Sequence, residues 1–425
     1  MLFALGVICL LFVFLIIGVP VAFALGAVSV VGLIVVDGFD SLVAISDIAW
    51  QTTSEFLLVA IPLFVLMSEI ISISGVGRDL FAGVERWLAR LPGGIAMSAV
   101  VASAVFGAVS GTAVGVAAVM GGIAIPEMLR RNYDRRMAAG TVAASSGLGM
   151  IIPPSLPIIV YGVITETSIA QLFAKSIIPG IIITAIFCAY IAFHSIRQSK
   201  KGHPITATSD EPIRFYESLL KSGPTVLLIL AVLGSIYFGI ATPTEAAAVG
   251  VAGALVLAAA KRTLTPKVLV EALHLTTRVS VMLLAILLTA MLFSYMLSVA
   301  QVPQQLTEAV VRAQLSGWVF FLLVMVLMFI LGLFLDAISI VLIAVPIVFP
   351  VLMDFGYDPI WFGVVLMINM CFAVATPPVG LCLYVVRDSV AELKLSDVVY
   401  GTIPFLVLYV ASIVLFTVFP RLITG

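Results

Sequence analysis

The sequence predicts an all-α, polytopic membrane protein that consists of two inverted repeats. Of its 425 residues, 62% are hydrophobic and 10% are charged, and the mean hydropathy is +1.26. This composition indicates that lipid or other apolar helices surround most of the chain. In each half of the chain, apolar runs are interrupted by polar residues and prolines in the same order. The interruptions predict a re-entrant helical hairpin and a Pro-Pro-broken transmembrane helix in each repeat, because non-helical backbone at membrane depth needs protein or a water-filled cavity around it.

The repeat emerges when the sequence is shifted by 224 positions. The shift brings four features onto their counterparts: Thr112 onto Asp336, Pro126 onto Pro350, Tyr133-Asp134 onto Tyr357-Asp358, and Pro153-Pro154 onto Pro377-Pro378. A weaker match at a shift of 226 pairs Leu80 with Leu306, which places the start of the repeat further upstream. Interrupted hydrophobic segments at corresponding positions of two halves indicate the binding site of a secondary transporter.

Spans are expected wherever about 20 apolar residues can cross a hydrocarbon core of about 30 Å. Unbroken spans are predicted at residues 2–36, 56–74, 177–196, 224–240, 243–260, 279–299 and 403–419. The broken helices are predicted at 137–164 and 359–386, and the hairpins at 95–128 and 318–353. Nine crossings and two hairpins would leave the termini on opposite sides of the membrane.

The chain divides into two halves and a linker. Residues 1–196 form the first repeat half, 197–222 a polar cytoplasmic linker with an amphipathic helix, and 223–425 the second repeat half. Further amphipathic segments, expected to lie along the membrane interface, are at 41–55, 78–91, 265–278 and 304–315.

The first apolar run has no basic n-region and is longer than the core of a signal peptide. We therefore expect it to remain in place as the first span, bent near Gly18-Val19-Pro20. Cleavage after Ala24 is the alternative interpretation.

The distribution of lysine and arginine predicts the orientation. With a cytoplasmic N-terminus, all 21 of these residues fall on the cytoplasmic side except three: Lys175, Arg312 and Arg421. The first hairpin then rests on Arg130 and Arg131 and enters from the cytoplasm, whereas the second rests on Asp354 and Asp358 and enters from outside. The two repeats are therefore inverted relative to each other, and the C-terminus lies outside.

Other classes of protein are disfavoured. A net charge of -1 provides no basic patch for nucleic acid, and the four cysteines lack metal or redox spacing. An ion channel would usually bring a repeated filter or a charged ring. An intramembrane enzyme would need a nucleophile with its base, and Ser110 has no histidine in a comparable transmembrane position.

Hairpin tips and helix breaks can bind ions of both signs. Helix N-termini offer N–H groups and the positive end of the helix dipole, which attract a carboxylate. Helix C-termini and unwound carbonyl groups suit a hard cation, and transporters with broken helices use both.

Several long motifs resemble the large membrane subunit of tripartite ATP-independent periplasmic (TRAP) transporters. They are GAVSGTAVGVAAVMGGIAIPEM, GLGMIIPPSLPIIVYG, ATPTEAAAVG and DAISIVLIAVPIVFPVLMDFGYDPIWFGVV followed by TPPVG, and the resemblance covers nearly the whole chain. It implies an elevator-type fold in the bacterial inner membrane and sodium-gradient-driven uptake of a carboxylate such as a dicarboxylate or sialic acid. It also implies two partners, a small four-helix membrane subunit, expected here as a separate chain, and a periplasmic substrate-binding protein.

Candidate site residues follow from the residue types at the tips and breaks. The substrate is expected to contact Ser110, Gly111, Thr112, Pro154, Ser155 and Pro378. One sodium ion is expected at Ser110, Thr112, Gly149 and Pro153, and a second at Gly332, Asp336, Thr376 and Gly380. Ser155 falls on Val379 in the repeat, so the two sites need not share their ligands.

Simpler interpretations apply to some of these polar residues. Ser145 and Ser146 either line the site or only form hydrogen bonds between helices. Asp336 points to function, because an ionisable group inside an apolar run is costly. Glu69 can simply reach the interface, and Glu245 fits a capping box with Thr242. A self-sufficient sodium-coupled carboxylate carrier, which needs no binding protein, remains the rival to the tripartite system.

Overall fold

A computed structural model describes residues 2–88, 90–199 and 215–424. The first part contains ten α-helices: α1 Leu2–Ile16, α2 Val21–Asp37, α3 Val43–Ser54, α4 Ala60–Ile73, α5 Val76–Leu88, α6 Gly94–Ser110, α7 Ala113–Arg130, α8 Arg135–Ser146, α9 Leu156–Ile164 and α10 Ile169–Ser199. The second part contains ten more: α11 Phe215–Tyr237, α12 Pro243–Ala260, α13 Pro266–Val299, α14 Val302–Arg312, α15 Gly317–Gly332, α16 Ala337–Asp354, α17 Pro359–Val374, α18 Leu381–Ser389, α19 Leu395–Val418 and α20 Arg421–Thr424. The described residues form no strand, which confirms the all-α prediction. Most of the predicted linker 197–222 lies outside the described residues.

The two halves repeat each other in their helix boundaries. The bounds of α7 and α16 differ by 224 at both ends, and α8 and α17 begin 224 residues apart. The Pro153–Pro154 and Pro377–Pro378 peptide bonds, 224 residues apart, are both cis. Helices α5 and α14, which contain the amphipathic segments before the two hairpins and which we call the arms, begin 226 residues apart, as the weaker sequence match indicates.

Helices α6 to α10 and α15 to α19 pack into one intertwined unit, which we call the core block. Its interior contains hydrogen bonds between the halves: the Tyr161 hydroxyl donates to the Pro359 carbonyl at 2.6 Å, and the Tyr409 hydroxyl to the Ala144 carbonyl at 2.8 Å. Helices α8 and α19 approach so closely at Gly140 and Gly401 that neither position has room for a Cβ. Helices α1 to α4 and α11 to α13, which we call the frame, pack beside the block.

The arm α5 connects frame and block. It contacts α11 of the frame and α6 of the block, and Arg131 at the end of α7 pairs with Glu85 on α5 at 3.1 Å. Burial raises the pKa of the Glu85 carboxyl, and the Arg131 guanidinium opposes that rise.

The first predicted span is the main departure from the expected helix pattern. Instead of one bent span over 2–36, the structure contains two helices, α1 and α2, separated by a non-helical break in which Gly18 has a φ of 91°. The corresponding helices of the second half, α11 and α12, are antiparallel, since Gly250 lies beside Val232 and Gly253 beside Leu228. The bend predicted near Gly18-Val19-Pro20 coincides with this break, but the sequence pattern did not reveal that the helix ends there, because every residue around the break is apolar or glycine.

Seven described helices are long and apolar enough to cross a membrane: Phe56–Ile73, Ala113–Arg130, Ile169–Gln198, Pro243–Ala260, Pro266–Val299, Ala337–Asp354 and Leu395–Val418. The described residues also form six shorter apolar helices, which include α6 and α15, the first helix of each hairpin. Helix α13 runs without a break through the predicted amphipathic segment 265–278 and the predicted span 279–299, which the sequence pattern separates.

Candidate functional site

The first hairpin tip is a two-residue turn between α6 and α7. Gly111 closes α6 with a φ of 63°, and its N–H donates to the Gly107 carbonyl at 2.7 Å. Thr112 caps α7, where its hydroxyl accepts from the Gly115 N–H at 3.3 Å. The Ser110 and Thr112 hydroxyl oxygens are 3.3 Å apart. Two of the predicted ligands are therefore adjacent at the turn that leads into the N-terminus of α7.

This tip touches the first Pro-Pro break. The Leu156 N–H donates to the Gly111 carbonyl at 3.4 Å, and a Cβ on Gly107 would lie 2.5 Å from the Gly149 Cα. Only glycine allows the backbones to approach this closely. The structure thus brings Ser110, Gly111, Thr112 and Gly149 together.

The second hairpin tip is capped by a charge. The Asp336 carboxylate accepts hydrogen bonds from the N–H groups of Ile338 and Ser339 and from the Ser339 hydroxyl. Asp336 occupies the position of Thr112 in the repeat, so each tip places an oxygen at the start of the second hairpin helix. The difference is one of charge, because a carboxylate neutralises the N-terminus of α16 whereas a threonine leaves that of α7 positive.

The second break lies against the end of the second hairpin's first helix. Gly332 contacts Ala373 so closely that it has no room for a Cβ, and the Phe329 and Phe372 rings stack at 4.5 Å. The Thr376 hydroxyl donates to the Phe372 carbonyl at 2.6 Å. Gly380 has a φ of 44° and begins α18 beside the Thr376 carbonyl.

One cavity of about 740 Å³ joins both tips and the residues that flank both breaks. From the block it is lined by Thr112 to Gly115, Met150, Leu156, Pro157, Asp336 to Ser339, Val374 and Leu381, and from the frame by Pro20 to Phe23 and by α13 residues between Arg278 and Ile286. Most of the lining is apolar, and a few polar groups converge at the tips. This arrangement is typical of a small-molecule binding site.

The predicted site residues divide into three groups in the structure. Thr112 and Asp336 line the cavity. Ser110, Gly111, Gly149, Pro153, Pro154, Gly332, Thr376 and Gly380 lie at the tips and breaks behind that surface. Ser155 is fully buried with its hydroxyl donating to the Met150 carbonyl at 2.6 Å, and Pro378 is exposed away from the cavity lining.

Other polar residues have structural partners. The Ser145 hydroxyl donates to Ser103 at 3.0 Å, and Ser146 donates to the Ala143 carbonyl at 2.8 Å, so both serve packing. Glu245 forms the predicted capping box with Thr242. The described residues contain no group of three or more His, Cys, Asp and Glu that could hold a metal ion. A sodium site would therefore depend mainly on hydroxyl and carbonyl oxygens.

The sequence did not predict that residues of the frame line the cavity. Arg278, the one basic residue among the lining residues, is on α13, far along the chain from both tips. In the sequence it looks like the last charged position of an amphipathic face, and no local pattern separates it from Lys267 or His274 on the same face.

The sequence model of the family described as "Tripartite ATP-independent periplasmic transporter, DctM component" matches residues 8–422. The "C4-dicarboxylate TRAP transporter large permease protein DctM" of Pseudomonas aeruginosa is 34% identical over 90% of this chain and 88% of its own length. The "Sialic acid TRAP transporter large permease protein SiaM" of Vibrio cholerae is 30% identical, over 95% and 93%. The "Isethionate TRAP transporter permease protein DctMQ" of Oleidesulfovibrio alaskensis is 30% identical over 96% of this chain and 64% of its own.

A solved structure shares the fold. The "Alcanivorax borkumensis YdaH transporter", whose crystal structure "reveals an unusual topology", matches with a TM-score of 0.62. The match covers 90% of this chain and 89% of the other at 15% identity, so the likeness concerns the fold alone.

Proposed function

Since the chain belongs to the DctM family of tripartite ATP-independent periplasmic transporters, as its large permease subunit, we propose that it imports a small organic acid by sodium symport. The observation that carries this proposal is the cavity shared by both hairpin tips and by the residues that flank both breaks. A helix N-terminus capped by neutral Thr112 suits a carboxylate, and the Asp336 carboxylate at the paired position suits a cation.

Two sodium ions are proposed, one at each tip and break. The first would use the Ser110 and Thr112 hydroxyls with backbone oxygens near Gly149 and Pro153. The second would use Asp336 and Thr376 with backbone oxygens near Gly332 and Gly380. A cation beside Asp336 would offset the charge that otherwise repels an anionic substrate.

The transport cycle is proposed to be an elevator movement. The block contains both tips and is tied together by hydrogen bonds between the repeats, whereas the frame supplies the opposite wall of the cavity. In this structure the frame wall runs from Arg278 to Ile286, the half of the α13 span that faces the cytoplasm in the proposed orientation. The cavity would therefore be open to the cytoplasm.

Partners and substrate are also proposals. The relatives' names include C4-dicarboxylate, sialic acid and isethionate, which supports an organic anion as the substrate. We propose that the protein lies in the bacterial inner membrane. We also propose a periplasmic binding protein and a small membrane subunit as partners. The relative named DctMQ extends beyond the matched part, which covers 64% of its length, and this leaves room for a second subunit in that relative's chain.

Reconstitution tests this function directly. Proteoliposomes containing the chain, the small subunit and the binding protein should accumulate one member of a panel of carboxylates under an inward sodium gradient without ATP. Uptake that persists when potassium replaces sodium would contradict sodium symport. Uptake that needs no binding protein would favour the self-sufficient carrier instead.

A further inference from the structure

Arg278 occupies a distinctive place in the cavity. Among the lining residues it is the one basic residue and Asp336 is the one acidic residue. Asp336 belongs to the block, whereas Arg278 belongs to α13 of the frame. The two charges therefore lie on opposite sides of the boundary between block and frame.

The position of Arg278 along α13 places it at the mouth of the cavity. The part of α13 that follows Arg278 is roughly 30 Å long at 1.5 Å per residue, which equals the thickness of the hydrocarbon core. Arg278 is exposed, and the apolar residues Val279, Val281 and Met282 continue the cavity wall beyond it. If residues 279–299 cross the hydrocarbon core, as the sequence predicts, the Arg278 guanidinium lies at the membrane boundary, next to the apolar cavity wall.

Arg278 has no carboxylate partner within the described residues, in contrast to two other basic residues on the same predicted side of the membrane. Lys261 pairs with Asp79, and Arg131 pairs with Glu85 and Glu127. A guanidinium offers several donors in a planar fork and binds carboxylates in a bidentate manner. An arginine of the cavity lining that no described carboxylate engages is therefore available to an anionic ligand.

We propose that Arg278 is the counter-charge that holds the anionic group of the substrate on the cytoplasmic side of the site. This inference rests on the proposed function. Once a cation leaves Asp336, that carboxylate repels an anionic substrate, and Arg278 is the one positive side chain of the lining that offsets the repulsion. Because Arg278 is fixed in the frame, it acts only when the block presents its tips to this part of α13.

Loss of Arg278 should therefore lower the affinity for substrate on the cytoplasmic side only. Arg278→Gln should weaken binding from the cytoplasmic side about ten-fold, as expected for loss of a charged hydrogen bond. The half-saturating concentration from the periplasmic side should stay within about two-fold, because the frame arginine does not contact the outward-facing site. Arg278→Lys should recover most of the cytoplasmic affinity, since it keeps the charge.

The matched control is Lys267→Gln. Lys267 is exposed on the same polar face of α13 and does not line the cavity. A purely interfacial role, in which Arg278 only contacts lipid headgroups, would make the two glutamine variants alike.

The test is counterflow in proteoliposomes that contain the complete complex. A panel of succinate, N-acetylneuraminate and isethionate is first screened with the wild type. The half-saturating concentration of the transported compound is then measured inside and outside. Binding protein added only outside selects molecules with their periplasmic face outward.

If Arg278→Gln raises only the half-saturating concentration measured inside the proteoliposomes, and Arg278→Lys restores it, the proposal is supported. Equal changes on both sides, or equal behaviour of Arg278→Gln and Lys267→Gln, overturn it while the transport function stands. A wild type that moves no member of the panel with sodium would overturn the proposed function and this inference with it.

Discussion

The thiol of Cys371 donates a hydrogen bond to the carbonyl oxygen of Gly147 at 2.9 Å, and the two residues are 224 positions apart. The shift that relates the repeats is also 224. A residue that contacts its own counterpart must lie beside the pseudo-two-fold axis, since any other position would be separated from its mate by the rotation. The axis therefore passes between the two Pro-Pro-broken helices, inside the core block.

The tight packing near this axis gives a first prediction. Gly401→Ala should lower the melting temperature of the purified protein by several degrees, because a new Cβ would strike the Arg136 backbone, which cannot move aside as a side chain can. Gly122→Ala, in the same block with open space around its Cβ position, is the control and should not lower it. Equal melting temperatures would show that α8 and α19 can separate at little cost.

Much of this fold could be predicted from the sequence because its signals are local. The hairpin predicted at 95–128 corresponds to α6 and α7, and the one at 318–353 to α15 and α16. Glycine and proline mark the interruptions, and the repeat reinforces each of them. The first span shows the limit of this approach, because Gly18 and Pro20 mark a bend, whereas hydropathy does not distinguish a bent helix from two helices joined by an apolar turn.

The site could be predicted only in part. Thr112 and Asp336 share a position in the repeat and line the cavity, whereas Arg278 reaches the cavity through tertiary packing that no repeat or motif encodes. Ser155 and Pro378 were predicted as substrate contacts because of their place at the breaks. The turn geometry directs Ser155 into its own backbone and leaves Pro378 exposed.

Asp336→Asn should raise the sodium concentration for half-maximal uptake about ten-fold or more. The substitution removes the charge while asparagine still caps α16, so the helix should survive. Glu69→Gln on frame helix α4 is the comparison, since Glu69 does not line the cavity. Initial rates of uptake across a series of sodium concentrations provide the measurement, and a larger effect at Glu69 would remove Asp336 from the sodium site.

The split of the first apolar segment predicts a different topology from the one expected for a single bent span. Pro20 lines the cavity together with Arg278, so in the proposed orientation the turn between α1 and α2 would lie at the cytoplasmic boundary of the membrane. Helix α1 would then be a crossing of its own, as α11 would be in the second half, and we expect its Leu2 end on the periplasmic side together with the C-terminus. Each half would then contain five crossings and one hairpin, and an odd number of crossings is what inverts one repeat relative to the other.

A cysteine at Ile17, which is 71% exposed, tests this topology in a background without the four native cysteines. It should react with a membrane-impermeant maleimide in inside-out vesicles and not in intact cells. The single-span prediction places residue 17 near the bilayer centre, where no impermeant reagent would reach it from either side. Protection in both preparations would therefore restore that interpretation and the cytoplasmic N-terminus.

The last prediction concerns motion between frame and block. The Ser68 hydroxyl on α4 donates to the carbonyl of Ser110 at the first hairpin tip, 3.4 Å away, and this contact crosses the boundary. Ser103 and Ser145, whose hydroxyl oxygens are 3.0 Å apart, both lie within the block. If the block moves as one body, a disulfide between cysteines at 68 and 110 should stop transport until it is reduced, whereas one between cysteines at 103 and 145 should leave transport largely intact.

Sodium-driven uptake before and after oxidation, with mass-spectrometric proof of each disulfide, makes the comparison. Cysteines placed singly at Thr112 and Ala337 should in addition change their labelling when sodium and substrate are varied. From the sequence, Ala89 in the amphipathic segment 78–91 would be the control whose labelling does not change. Ala89 lies outside the described residues, so Leu91, which is 46% exposed and follows α5, takes its place. Transport that survives the 68–110 disulfide would mean that the first tip does not leave α4, and gating by the hairpins alone would replace the elevator. Transport that fails with both disulfides would instead mean that the block must deform internally, since the second one lies wholly inside it.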